Sequence, residues 1–318
     1  MSISAADAKL IKAHVLRSLS SNRAPGMHFP GYFLRFTKQR YETGMVEFTV
    51  EPGPHCANAQ GEMNRAALLF SADMMLAAAN RVHINPNVRT ATLMLRVDFT
   101  GAPARGRVIA SGSGTGFAPR TALPESSSQG VLICEGREVM RCSGVWVSPP
   151  APRGMTMYGL PWEGGENGDD RPLLKKSELE VAEQDVLRRV ARAIREARNG
   201  DLLDALWNPV VKRMPYGALG KLPVGMHLGN RVGHVQGGLL MSAALVSAEA
   251  AVPEHPILTG ASAWYISPGQ GKAVTTRSTI LQSGRNIAVV RTELFNADKR
   301  RVLEVVSNHA LAARETTA

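Results

Sequence analysis

Asp73 is the residue whose type and setting most invite chemistry. It lies in the run Phe70-Ser71-Ala72-Asp73-Met74-Met75, where its neighbours are apolar or small. A carboxylate in such surroundings is rarely buried without a function or a partner. It can act as a general base or as a nucleophile. A carboxylate bonded to a nearby backbone group or arginine fits the same residues. The second candidate is the stretch Asn230-Arg231-Val232-Gly233-His234-Val235-Gln236-Gly237-Gly238, which runs directly into an apolar segment. If that segment is a helix, its first N–H groups lack partners and its dipole favours negative charge there. Gly237 and Gly238 would let a ligand approach the backbone closely. Amides so placed can hold a developing oxyanion. Gln236 can orient a carbonyl or a water but cannot transfer protons as a histidine does. Asn230 can bond a carbonyl or cap its own turn, and His234 suits a structural or surface role as well as a binding one.

Other chemistries leave no trace. There is no Gly-x-Ser-x-Gly elbow, no phosphate loop and no dinucleotide fingerprint. The run Gly112-Ser113-Gly114-Thr115-Gly116 is phosphate-friendly but opens no helix, so it is expected to be a flexible loop. The three cysteines, Cys56, Cys134 and Cys142, have no metal-ligand spacing, and no metal or other cofactor is expected. Free core thiols are the preferred reading, with a Cys134–Cys142 cross-strand bond as the alternative. A cytoplasmic protein is the simplest inference from this cysteine usage.

The elements around these two candidates fall into two comparable units. The 318 residues suit two domains, and 44% hydrophobic with 20% charged residues is ordinary for a globular chain. Residues 148–170 hold Pro149, Pro150, Pro152, Pro161 and a Gly-Gly-Glu-Asn-Gly run, and read as a linker. The expected division is an N-terminal domain over 1–150, a linker over 151–176 and a C-terminal domain over 177–318, each domain with a leading helix. At the N-terminus, Ser4 and Asp7 resemble a capping box, and Ala8, Ile11, Val15 and Leu19 recur at helical spacing. A signal peptide is not expected there. A second helix is expected over 177–199, with Arg188, Arg189, Arg192, Arg195 and Arg198 as a solvated face.

The halves repeat one another. Asn58 precedes Gly61 as Asn230 precedes Gly233, and each motif leads into an apolar stretch, 67–79 and 239–251. Strand-like segments follow in both, 90–99 with 261–266, 106–112 with 271–277, and 138–147 with 301–310. A helix that is apolar nearly all round must be wrapped on most sides. Strands that alternate, as around 289–294, suit a sheet with one covered face. The expected fold class is α+β, with an antiparallel sheet curled around a long central helix in each half.

The pattern Asn-x-x-Gly-x-Val-x-Gly-Gly before an apolar helix resembles the hotdog thioesterases related to the phenylacetate-pathway enzymes. The resemblance covers roughly residues 28–147 and 207–312. It implies two hotdog domains in tandem and a site at the interface of two units, drawing on both. It also implies an acidic residue seven positions after the second glycine. The second half keeps Asn230, Gly233, Val235, Gly237 and Gly238, carries Gln236 where the family has His, and has Leu245 at the acidic position. The first half keeps Asn58 and Gly61, has Asn64-Arg65-Ala66 for His-Gly-Gly, and places Asp73 at the acidic position. One half has the carboxylate and the other the glycine turn.

If the halves pair as family subunits do, Asp73 faces the Gln236-Gly237-Gly238 turn and the opposite pocket is degenerate. The catalytic candidates are then Asp73, Gln236 and Gly237, with Gly237 as the oxyanion donor by resemblance. Asn230, Gly238, His234, Asn58 and Asn64 are the substrate-binding candidates. Glu249, one turn beyond Leu245, is a weaker candidate for a replacement acid, and His55 belongs to the degenerate pocket. The resemblance points to an acyl-CoA thioesterase; a non-hydrolytic acyl-CoA-binding or regulatory protein is the alternative, and a hydratase-type hotdog activity ranks last. The expected partner is acyl-CoA or a related acyl thioester. The net charge of +10 fits a phosphate-rich ligand of this kind. Nucleic acid is not expected, because no basic-aromatic interleaving is present. No segment reaches the length of a membrane span, and a homodimer is expected.

Overall fold

The computed structural model describes residues 3–24, 26–58, 60–84, 88–118, 122–160, 171–197 and 201–312. Helix α1 (Ala5–Asn22) starts where the capping residues require: the Ser4 hydroxyl accepts from the Asp7 N–H at 3.0 Å, and Ile11, Val15 and Leu19 are its buried stripe. A short helix α2 (Phe29–Phe33) follows, then strands β1 (Thr37–Glu42) and β2 (Met45–Val50). Helix α3 (Arg65–Arg81) spans the first apolar stretch. Strands β3 (Ala91–Phe99), β4 (Val108–Gly114), β5 (Glu125–Cys134) and β6 (Arg137–Val147) complete the first half. Helix α4 (Val181–Glu196) and the short α5 (Leu202–Trp207) open the second, followed by β7 (Val210–Met214) and β8 (Gly217–Pro223). Helix α6 (Gly237–Ala251) and strands β9 (Ile257–Tyr265), β10 (Ala273–Ser283), β11 (Ile287–Asn296) and β12 (Arg301–Ala310) end the chain.

All twelve strands form one antiparallel sheet in the order β1-β2-β4-β5-β6-β3-β9-β12-β11-β10-β8-β7. Read outward from the central β3–β9 pair, the two halves follow the same chain order. The repeat seen in the sequence is therefore a repeat of topology. β3 and β9 join the halves with Leu95 opposite Ala263 and Val97 opposite Ala261. Helix α3 packs on the strands of its own half and α6 on the strands of the other, and the two helices touch.

Both helices are buried nearly all round, as their sequences demand. Leu69, Phe70, Met75 and Leu76 of α3, and Leu239, Met241 and Leu245 of α6, are fully covered. Each such side chain contributes about 1.5–3 kcal/mol by leaving water. The approach of the two helices depends on glycine. A Cβ at Gly238 would lie 2.3 Å from the Leu69 carbonyl oxygen, a backbone atom that cannot swing aside. Gly238→Ala is expected to destabilise the protein by about 1–3 kcal/mol through overpacking, measurable as a lower urea midpoint.

Two expectations need correction. The 112–116 loop begins late: Gly112 and Gly114 belong to β4, where they make room for Met75 and for the end of α3 at Ala79 and Asn80. Helix α4 starts at Val181, not 177, because residues Lys176–Glu178 form a separate 3₁₀ turn and Glu180 with Glu183 makes the capping box. Helix α4 lies against α1, and the Arg23 guanidinium donates to both Glu183 carboxylate oxygens at 2.8 and 2.6 Å.

The cysteines are free and buried. Arg188 and Arg189 pair with Asp185, and Arg192 with Glu196, as expected of a solvated face; Arg198 lies outside the described residues. The central part of the expected linker, 161–170, also lies outside them. Among the described residues no helix is long and apolar enough to cross a membrane.

Candidate active site

The motif shared by the halves first builds a turn. Asn230 Oδ1 accepts from the Val232 N–H at 3.0 Å and the His234 N–H at 3.1 Å; Asn58 Oδ1 accepts from the Gln60 and Glu62 N–H groups, both at 3.0 Å. Gly61 and Gly233 follow at φ +73° and +77°, a left-handed conformation that favours glycine. The two asparagines thus cap equivalent turns. Of the two uses open to Asn230, the structure shows capping.

That turn delivers Gln236 to the head of α6 as its N-cap, 2% exposed. Its side chain works in two directions. Oε1 accepts from the Leu239 N–H at 3.0 Å, and Nε2 donates to Asp73 Oδ2 at 2.6 Å. The helix amide thereby fixes which end of the Gln236 amide faces the carboxylate. Thr92 donates its hydroxyl to the other oxygen, Asp73 Oδ1, at 2.9 Å. A bulge in β3 between Thr92 and Met94 interrupts its register with β6. Such a bulge re-aims side chains, and here Thr92 reaches α3. Asp73 is 5% exposed, and burial pushes its pKa up to about 6, against the opposing hydrogen bonds from Thr92 and the Gly238 amide.

The first N–H groups of α6 divide their roles. The Gly238 amide favours the Asp73 carboxylate, Leu239 N–H meets Gln236 Oε1, and Leu240 N–H meets the Gln236 carbonyl. Gly237 N–H has no acceptor among the described residues. A Cβ on Gly237 would lie 2.8 Å from Asp73 Oδ2, so the bare backbone and the carboxylate are immediate neighbours. Tyr265 donates its hydroxyl to the Gly237 carbonyl at 2.8 Å. Burial and the Asp73 charge hold its pKa well above the usual tyrosine range, so it stays protonated.

These groups open on a cavity of about 290 Å³. Its wall includes Met74, Ala77, Leu93 and Leu240, Met157 and Leu160 from the segment after β6, and the polar groups Asn230 and His234. His234 is half-buried, and desolvation and the Arg89 charge lower its pKa. Arg89 and Arg231 also line it. A buried carboxylate beside an unpaired amide can activate a water or attack a carbonyl whose oxygen rests on the Gly237 N–H.

Asp73, Gln236, Gly237, Gly238, Asn230 and His234 are thus brought together. Asn58 and Asn64 are not. Asn64 sits at the head of α3, where its Nδ2 donates to Asp201 at 2.9 and 2.7 Å and to Asp204 at 2.9 Å. Asp201 caps α5 and Asp204 lies in its first turn, so α5 fills the position that mirrors the Asp73 cavity. Arg65 and Glu249 close it with an ion pair, which commits Glu249. His55 is buried there against His14, ring centroids 4.6 Å apart.

Residues 228–312 match the acyl-CoA thioesterase N-terminal domain. No curated protein matches the chain. Among solved structures it is similar to a protein of Lactobacillus plantarum described as an oleoyl thioesterase, with 12% identity over 86% of this chain and 98% of that one, TM-score 0.55. It is likewise similar to a 12:0-ACP thioesterase from Umbellularia californica, with 12% identity over 83% and 93% of the two chains, TM-score 0.51. These neighbours are hotdog-type thioesterases, and at such identity they speak for the fold. The domain match supports a thioester hydrolase.

Thr92 and Tyr265 carry no sequence signal. Neither stands in a motif; each reaches the site through strand register alone. The pKa of Asp73 sets a testable limb. Hydrolysis that needs its ionised form should rise with pH through an apparent pKa near 6 and level off above it. The linkage to folding runs the other way. A carboxyl with a raised folded pKa binds more protons in the native state, so its contribution to stability is fully present below pH 4 or so and is lost as pH rises through 6. A pH–kcat/KM profile and a pH–stability profile check both signs.

Proposed function

We propose that the chain is an acyl-CoA thioesterase made of two hotdog domains in tandem, over 1–150 and 177–318 with a linker over 151–176, and that one composite site lies between them. The observation that carries the reading is the 2.6 Å hydrogen bond from Gln236 to Asp73, which joins the carboxylate of one half to the glycine turn of the other. In this account the thioester carbonyl lies with its oxygen on the Gly237 N–H. Asp73 takes a proton from a water as that water attacks the carbonyl carbon. The oxyanion collapses, the C–S bond breaks, and the thiolate recovers the proton from Asp73. Gln236 and Thr92 hold the carboxylate in its attacking orientation; Gln236 does not transfer a proton.

Arg89 and Arg231 support a coenzyme A thioester. Arg89 is half-buried, its pKa lowered by burial, and it has no carboxylate partner among the described residues. Arg231 donates to the Tyr158 carbonyl at 2.8 Å and stands on the same cavity. Phosphate would supply the anion that Arg89 lacks. Arg89→Ala is expected to raise KM for acyl-CoA about 10-fold or more, with little change for S-acyl-N-acetylcysteamine, which has no phosphate. Equal effects on both substrates would remove Arg89 from the coenzyme site.

The proposal includes a homodimer of these double units. Trp264 and Ile257 expose apolar surface on β9, 47% and 46% respectively. A sedimentation mass of one chain would discard that element while leaving the site reading intact.

A further inference from the structure

Two side chains in the wall of the Asp73 cavity bury polar atoms that have no hydrogen-bond partner among the described residues. His28 is 5% exposed, and neither Nδ1 nor Nε2 has a hydrogen-bond partner. Trp146 is 1% exposed, and its Nε1–H has none. Both line the cavity. Buried polar groups are nearly always hydrogen-bonded, and an orphan is costly. Around them the site is otherwise engaged: Asp73, Gln236, Tyr265 and Asn230 all have partners.

The positions follow from the fold. His28 precedes α2 as its N-cap but makes no side-chain cap bond, and its ring lies against Phe70 of α3, centroids 5.6 Å apart. Trp146 pairs across the sheet with Thr92, so its side chain shares the face that carries Thr92 to Asp73. A phenylalanine at either place would fill the same apolar room at no hydrogen-bonding cost. Desolvation and the nearby Arg231 charge keep His28 neutral, with a pKa pushed down to about 3. A neutral imidazole offers one donor and one acceptor, and the indole offers a second donor.

We propose that His28 and the Trp146 indole N–H form a recognition site for an uncharged oxygen of the thioester substrate, a hydroxyl or carbonyl group bound within the cavity. This rests on the thioester reading of the same cavity. The oxygen has two sources with one chemistry, a hydroxyl or keto group on the acyl chain or an amide carbonyl of the pantetheine arm.

The test compares wild type with His28→Phe, and with Trp146→Phe, which removes the N–H while keeping an aromatic ring. Values of kcat/KM are measured for hydroxyacyl-, oxoacyl- and plain acyl-CoA of equal chain length, and for S-acyl ethanethiol esters, whose thiol part carries neither amide nor hydroxyl. An acyl-chain source predicts that wild type prefers the oxygenated chain by about 10-fold and that the variants lose this preference. A pantetheine source predicts no such preference. The variants then lose about 10-fold on every acyl-CoA but not on the ethanethiol esters. Ratios identical to wild type across both series, in variants that fold, overturn the proposal. If the wild type hydrolyses no thioester, the hydrolase reading fails separately. The oxygen site is then judged by calorimetric titration of the same ligands as non-hydrolysable thioethers, with the same ratios deciding.

Discussion

Asp73→Asn is expected to lower kcat by at least about 100-fold, and by up to about 10⁴-fold, while the protein remains folded. The substitution removes the base and little else. An asparagine can place its oxygen toward Gln236 Nε2, which now donates to Asp73 Oδ2 at 2.6 Å, and its amide toward Thr92. The Thr92 hydroxyl can turn from donor to acceptor. The buried charge disappears as well, so stability at neutral pH should be equal or greater, in keeping with a pKa raised by burial. Thiol release from a panel of acyl-CoA substrates, read beside a melting curve, checks both halves of the expectation. Retained turnover in a folded variant would dismiss Asp73 as the base.

The second large effect is expected at Gln236. Gln236→Ala deletes the N-cap bond to Leu239 and the donor to Asp73 in one step. Loss of the cap should cost about 1 kcal/mol of stability. Loss of the donor should cost more in rate, about 10- to 100-fold in kcat, because the carboxylate is no longer held against the Gly237 turn. There is also a signature that a purely structural role would not produce. A hydrogen bond to the charged form favours that form, so without it the acidic limb of the pH profile should move above pH 6. A variant that is merely destabilised would show an unmoved limb and normal kcat below its melting temperature.

Much of the site is legible in the sequence because its logic is local. The Asn-x-x-Gly turn, the glycines after it and the apolar helix are consecutive residues, and their physical demands show in their order. The repeat then places Asp73 and Leu245 at matching positions, and the resemblance to paired hotdog units is what sets the carboxylate against the glycine turn. Glu249 shows the limit of that reasoning. Helical spacing makes it a spare acid, whereas Arg65, distant in sequence, has claimed it. Asn64 is a parallel case, since its partners Asp201 and Asp204 come from the start of α5, a short helix after α4 with no periodic pattern to announce it.

Other contributors to the cavity depend on non-local geometry. Thr92 reaches Asp73 where β3 bulges, Tyr265 where β9 ends beside α6, and Met157 and Leu160 join the wall from the segment that follows β6. Positive charge is evident in the composition, yet which arginines stand free of carboxylates is not. Arg188, Arg189 and Arg192 of α4 are paired with acids on their own helix, while Arg89 in a loop has no carboxylate partner among the described residues.

A crystal structure of the Asp73→Asn variant soaked with an acyl-CoA would test the composite site most directly. The account predicts the thioester carbonyl oxygen about 3 Å from the Gly237 N–H, its carbon beside residue 73, and the coenzyme phosphates at Arg89. Density for the thioester elsewhere, or a carbonyl turned away from the head of α6, would contradict it.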